Sequence, residues 1–246
     1  MKRLLHAFWM CQSMFCAIPC PCKTWDEDAR YALLWCLPLV GLEIGFIWWI
    51  SGLLCLFFGL HQLIVGLVLC AVPYFATGFL HLDGFMDVTD AVGSCRDLAR
   101  RREILKDSHV GSFAVIGCVL LILCQFVFAF AAADSADLRL LIVIPVVSRC
   151  CSSVAVAVLP KMATSQYARK KAGLADILIP GAFLVASFAF SLWVGPRGAL
   201  VLIAELAGYG LALRKGYVSL EGMNGDISGY ALTLGELTAL GALAVL

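Results

Sequence analysis

Charge is what this chain has least of. Only 14% of its 246 residues are Asp, Glu, Lys or Arg, against roughly 25% in a soluble globular domain. So little solvated surface excludes an ordinary soluble fold. A net charge of +1 excludes the basic excess expected of a nucleic-acid binder. There is no Walker-type phosphate loop, no Ser-His-Asp order signal and no HExxH pair. No small-x-small cleavage site cleanly follows the apolar stretch after Lys2 and Arg3. Residues 1–17 therefore read as an interfacial segment lying along the membrane, not as a signal peptide. No internal repeat of the transporter kind stands out. Cysteine is plentiful, at 12 residues, but a zinc site needs a second ligand pair beyond Cys16, Cys20 and Cys22, and none is spaced for it. Cys36, Cys55, Cys70, Cys118, Cys124, Cys150 and Cys151 lie inside apolar runs, where a thiol behaves as a small apolar side chain.

What is abundant is apolar sequence, 62% of the chain. Runs of about twenty residues recur, each long enough to cross roughly 30 Å of hydrocarbon. The fold class is an all-α polytopic membrane bundle, read as one domain over 1–246. Crossings are expected at 31–58, 61–80, 111–133, 140–159, 177–195, 199–213 (short for a span) and 227–246, about seven in all. The segments 1–30, 81–110, 160–176 and 214–226 then share one side. They hold every Lys and Arg of the chain except Arg139 and Arg197, on the other side, and Arg149, within a span. That asymmetry places the N-terminus and the basic face in the cytoplasm, and the protein in the inner membrane.

The run His81-Leu82-Asp83-Gly84-Phe85-Met86-Asp87-Val88-Thr89-Asp90 ends one of the apolar stretches. Its carboxylates at i, i+4 and i+7 share one face of a helix. Three like charges at the edge of hydrocarbon call for a cation, and Mg²⁺ is the hard dication that suits carboxylates. A polar helix end accounts for one or two acids there, and less well for three. The segment Arg100-Arg101-Arg102-Glu103-Ile104-Leu105-Lys106-Asp107-Ser108-His109-Val110-Gly111 reads either as a headgroup-binding strip or as a phosphate clamp. In the second case Asp107 is a further ligand or the base. Arg149 within a span needs a partner. Glu43 and Glu236 are candidates for an ion pair, and an anion at the site is the alternative. Gly222-Met223-Asn224-Gly225-Asp226 has turn chemistry with Asp226 near a helix N-cap. A simple cap and a fourth site segment both fit it.

These motifs resemble the signature of the adenosylcobinamide-GDP ribazoletransferase (cobalamin synthase) family. The resemblance rests on the 81–90 run together with Ile104-Leu105-Lys106-Asp107-Ser108-His109-Val110-Gly111-Ser112-Phe113. Supporting segments follow in order: Pro38-Leu39-Val40-Gly41, Pro145-Val146-Val147-Ser148-Arg149, Tyr167-Ala168-Arg169 with Gly173-Leu174, and Asn224-Gly225-Asp226 with Gly229 and Glu236. Ala91, Asn224 and Thr233 depart from the usual pattern. The resemblance implies transfer of the phosphocobinamide of adenosylcobinamide-GDP to α-ribazole, or its 5′-phosphate, with release of GMP. It implies a membrane enzyme that uses Mg²⁺. On that basis Asp83, Asp87, Asp90 and Asp107 are expected metal ligands, with Asp107, His81 and His109 the candidate bases. Arg96, Arg102, Lys106, Arg149 and Asp226 are expected around the substrate phosphates. Expected partners are the two substrates and the lipid bilayer, with no nucleic acid. Other cobalamin-assembly enzymes and further copies of the chain are further candidates. A CDP-alcohol phosphotransferase also uses helix-borne aspartates. Here Ala91 stands where that signature needs glycine, and its Ala-Arg and later aspartate pair are missing. A cation-coupled transporter is the rival from another class.

Overall fold

In the helix Leu33–Phe57, apolar side chains occur on every face, so burial in water would require partners all round. Lipid supplies those partners instead, and such a helix reads as a crossing. The computed structural model describes residues 2–22, 25–135, 137–162 and 173–246. In chain order its helices are α1 (Lys2–Phe15), α2 (Leu33–Phe57), α3 (Gln62–Ala76), α4 (Leu80–Gly93), α5 (Leu98–Ile104), α6 (Ser112–Ser135), α7 (Ile144–Val158), α8 (Ala175–Val194), α9 (Pro196–Leu220) and α10 (Gly225–Val245). Six of them, counting α2, α6, α7, α8, α9 and α10, are long and apolar enough to cross a membrane. The pair α3 and α4 passes only when taken together, and it is bent by 88°. Six to seven crossings agree with the sequence reading.

The bundle is built around α7. Buried residues make up 83% of the apolar window of its crossing, against 17% for α8. Polar side chains pin the neighbours to this centre. Arg149, 1% exposed, forms an ion pair with Glu236 of α10. Ser148 Oγ donates to the same carboxylate at 2.8 Å. Ser153 Oγ donates to Leu34 O of α2 at 2.8 Å, and Tyr209 OH of α9 to Ser152 Oγ at 3.3 Å. In hydrocarbon each such bond replaces an unsatisfied group, which fixes the register between helices.

Two successive left-handed residues, Gly78 (φ 57°) and Phe79 (φ 64°), make the sharp corner after α3. Because of it α4 does not continue the crossing. It packs against α10 and α6, with Gly84 over Asp226 at the start of α10 and Asp90 at the first turn of α6. The same end of the bundle gathers α5 and the turn between α9 and α10. Arg101 donates to Ser219 O at 3.3 Å and Arg102 to Leu220 O at 3.0 Å. Met223 N bonds Pro160 O at 2.8 Å, and Met162 N bonds Met223 O at 3.0 Å. The basic segments thus converge at one end. Arg139 and Arg197 lie at the other, near Trp193 and the C-terminal Leu246 respectively. Lys23, Arg169, Lys170 and Lys171, and the Tyr167-Ala168-Arg169 motif, lie outside the described residues.

Two expectations need correction. The crossing placed at 199–213 runs on to Leu220, so Arg214 and Lys215 are helical and not in a loop. Helix period continues through Tyr217, Val218 and Leu220, and the stop comes at Glu221, in the left-handed region at φ 49°. The 81–110 segment, expected as a cytoplasmic catalytic loop beyond the helical 81–90 run, holds two helices, α4 and α5. Helix α1 lies against the first half of α2, burying Ala7, Met10 and Cys11. Gln12 Nε2 donates to Glu43 at 2.9 Å, which leaves Glu236 as the partner of Arg149. All 12 cysteines are free thiols.

Removing one partner of a buried pair strands the other charge, at a cost of about 3–5 kcal/mol. Arg149→Met should therefore lower the thermal stability of the detergent-purified protein sharply. Arg149→Met combined with Glu236→Leu should recover part of that loss. A double variant as damaged as the sum of the single ones would show that the pair is not coupled.

Candidate active site

The α4 helix is amphipathic across its short length. Leu82, Phe85, Val88 and Ala91 are buried, and the Phe85 ring stacks on Tyr230 with centroids 5.6 Å apart. Packing of that face turns the other one, with Asp83, Asp87 and Asp90, away from the core. Asp83 is exposed, and Asp87 and Asp90 are half-buried. Gly84 lets the helix lie directly on the start of α10. A Cβ there would sit 3.0 Å from Asp226 Cα and 3.1 Å from Asp226 O. This crossing brings Asp226, a residue more than 130 positions away, to the α4 acids.

Asn224 fixes Asp226 in place. Its Oδ1 accepts from Ile227 N at 2.9 Å, capping α10, and its Nδ2 donates to Asp226 Oδ2 at 2.7 Å. At the far end of α4, Asp90 Oδ1 accepts from Ala114 N at 3.4 Å, in the first turn of α6. Gly111 lies under that carboxylate, and a Cβ there would collide with Asp90. Anions are favoured at a helix start, which partly offsets the charge of Asp90. Among the described residues, none of Asp83, Asp87, Asp90 and Asp226 is in an ion pair. Partial burial first, then the charges of Asp83, Asp226 and Asp90, push Asp87 up to about 6.

The four carboxylates supply oxygen donors and excess negative charge, the chemistry that suits a hard dication. They are not a ready-made cage. Among the described residues, no group of three or more His, Cys, Asp or Glu side chains is gathered so that it could hold a metal ion. The set expected from sequence, Asp83, Asp87, Asp90 and Asp107, is thus not assembled as such. Asp107 is turned on His109, accepting from its backbone N–H at 3.0 Å and meeting its Nδ1 at 2.6 Å. Those contacts, the backbone one first, hold Asp107 below the usual carboxylate range. The His109 ring itself points outward, 91% exposed.

His81 faces inward. Its ring stacks on Phe15 of α1 with centroids 6.3 Å apart. Its carbonyl accepts from Thr233 Oγ1 at 3.3 Å, which gives one of the departures from the family pattern a structural role. Its Nε2 is buried without a hydrogen-bond partner among the described residues.

Two clefts meet at Asp226, which lines both. One, of about 460 Å³, is walled by Arg102, Lys106, Lys161 and Asn224. The other, of about 320 Å³, is mostly apolar and reaches His81. The expected phosphate contacts divide accordingly. Lys106 is exposed in the basic cleft. Arg102 lines it too, while its Nε donates to Leu220 O, the last residue of α9, at 3.0 Å and its Nη2 to Glu221 O just beyond at 2.9 Å, an interaction that suits a helix C-terminus. Arg96 is exposed between α4 and α5 and is not among the residues lining that cleft. Arg149 is committed to Glu236 in the core. Asp226 lines the basic cleft and also adjoins the α4 carboxylates. Lys161 was not singled out from sequence; its only signal was its position just after a crossing, on the basic side.

Asp87 yields a sign-specific prediction. Its folded value of about 6 exceeds the ordinary carboxylate value of 3.8. Between those values the folded state binds more protons than the unfolded one, so this contribution to stability falls as pH rises through the window. Asp87→Asn should raise the Tm of metal-free protein at pH 7.5, by roughly 2–4 °C for about 1 kcal/mol. It should do little at pH 4. Thermal scans at both pH values check this, and an unchanged Tm at pH 7.5 would contradict it.

Comparison with known proteins agrees with the motifs. The family model for cobalamin-5-phosphate synthase matches residues 7–244. An adenosylcobinamide-GDP ribazoletransferase of Clostridium perfringens (strain SM101 / Type A) is 36% identical over 256 residues, covering 100% of both chains. One from Clostridium botulinum (strain Alaska E43 / Type E3) is 32% identical over 247 residues, 98% of this chain and 97% of its own. One from Acinetobacter baumannii is 30% identical over 240 residues, 93% of each. No solved structure matches. With a family match over nearly its whole length and relatives aligned end to end, the chain belongs to the cobalamin-5-phosphate synthase family.

Proposed function

We propose that this protein is an adenosylcobinamide-GDP ribazoletransferase that works at the basic, cytoplasmic end of its bundle in the inner membrane. In the reaction a hydroxyl oxygen of α-ribazole, or of its 5′-phosphate, bonds to the phosphorus attached to cobinamide. The bond from that phosphorus to the GMP oxygen breaks. The hydroxyl proton passes to a base, and GMP departs. The observation that carries the reading is the group of four carboxylates, Asp83, Asp87, Asp90 and Asp226, none of them in an ion pair among the described residues, with Asp226 lining a cleft of Arg102, Lys106 and Lys161.

Asp83, Asp87 and Asp226 would hold Mg²⁺, with Asp90 at the edge of the set. When bound, that ion would draw off charge from the diphosphate and from departing GMP. Mg²⁺ takes only one or two carboxylates in many phosphoryl sites, and water and phosphate complete its shell. A loose set of acids is suited to that division. Lys106, Lys161 and Arg102 would face the remaining phosphate oxygens, so that positioning and electrostatics lower the barrier. Asp107, exposed and held low by His109, is a poor proton acceptor. His81, which lines the second cleft with Asp226 and whose Nε2 has no hydrogen-bond partner among the described residues, is our candidate base.

Membrane vesicles carrying the chain should release GMP from adenosylcobinamide-GDP when α-ribazole is supplied, and EDTA should stop it. Asp83→Asn, Asp87→Asn and Asp226→Asn should each lower kcat by about 10²–10³, the size of losing one electrostatic group at a reacting centre. Asp107→Asn should cost far less. Substantial activity in any two of the first three would remove the carboxylate model.

A further inference from the structure

The apolar cleft is the part of this end that phosphate chemistry does not use. It opens between α1, α2, α4, α7 and α10, and Phe15, Leu37, His81, Val156 and Leu232 are among its walls. A diphosphate would lose its hydration there and find no cation among the lining residues. The cleft nevertheless reaches Asp226, which lines it as well as the basic cleft. Its volume of about 320 Å³ is that of a small-molecule site, mostly apolar with a few polar groups to set orientation. Ser152, Ser228 and His81 are the polar residues that line it beside Asp226.

Group transfer between two substrates requires that they approach the attacked phosphorus from different directions. The basic cleft has the charge for the nucleoside-diphosphate donor. We propose that the apolar cleft seats the uncharged aromatic base of the nucleoside acceptor, with Phe15 of α1 as its outer wall and the sugar directed toward Asp226. The inference rests on the transferase reading given above. Phe15 and His81 have rings only 15° from parallel, an arrangement on which a planar ring stacks. The end of α1 is held in place by Ala17 N bonding Ala76 O at 2.8 Å, at the end of α3. On this account α1, the amphipathic start of the chain, determines which acceptor is admitted and is more than a membrane-surface anchor.

The test uses the full chain purified into lipid nanodiscs, with each substrate varied in turn while the other is saturating. Val156→Trp fills the cleft, and Phe15→Ala removes its outer wall. Each should raise the KM for α-ribazole by about tenfold or more and leave that for adenosylcobinamide-GDP within about twofold. Lys161→Ala, in the other cleft, should do the reverse. Should Val156→Trp fail to accumulate, Phe15→Ala decides alone. An unchanged acceptor KM in the available variants, or a rise confined to the donor, overturns the assignment. If wild-type protein releases no GMP at all, the transferase reading fails instead. Equilibrium dialysis of α-ribazole against wild type and Phe15→Ala then judges the cleft separately. Weaker binding in the variant supports it, and equal binding overturns it.

Discussion

Like-charge repulsion at the crossing of α4 with α10 is the constraint on which this end of the molecule depends. Asp83, Asp87 and Asp90 lie on one face of a helix seated on the first turn of another, which brings Asp226 among them. Among the described residues none of the four is in an ion pair, and two of the expected cations have other partners. Arg102 caps α9, and Arg149 is buried against Glu236. Holding several acids together is costly near an apolar layer, and a fold retains such a feature when a ligand of opposite charge repays it. A dication gripped together with a diphosphate is the ligand that fits.

The rest of the fold serves to hold that crossing rigid. The right-angle corner at Gly78 and Phe79 takes α4 out of the line of α3. Stacking of Phe85 on Tyr230, and the contact of Thr233 with the His81 carbonyl, fix it on α10. The Arg149–Glu236 pair then ties α10 to the buried central helix α7. Positioning of the acids is therefore transmitted from the core of the bundle by packing and a few intramembrane polar bonds. No flexible loop carries them.

Much of this was legible in the sequence, for identifiable reasons. The carboxylate spacing 83, 87 and 90 is a local, helical signal and places three acids on one face wherever the helix goes. Apolar runs and the one-sided distribution of Lys and Arg reveal the crossings and their common end. What sequence could not supply is long-range. Nothing local distinguishes Asp226 as a partner of the α4 acids from a simple helix cap, and only the seat of Gly84 on α10 makes it one. Lys161 is an unremarkable cation until the strand-like contact of Pro160 and Met162 with Met223 swings it into the cleft. Conversely, Arg102, Asp107 and Arg149 have the right chemistry for the site, but nearer partners occupy them in whole or in part.

Counting bound metal is the most direct trial of the central idea. Mn²⁺, titrated into the solubilised chain with adenosylcobinamide-GDP and no acceptor, can be followed by electron paramagnetic resonance. Tight binding that needs both the donor and intact Asp87 and Asp226 is the expected result. Mn²⁺ binding that persists undiminished in Asp87→Asn and Asp226→Asn, or that ignores the donor, would contradict the account.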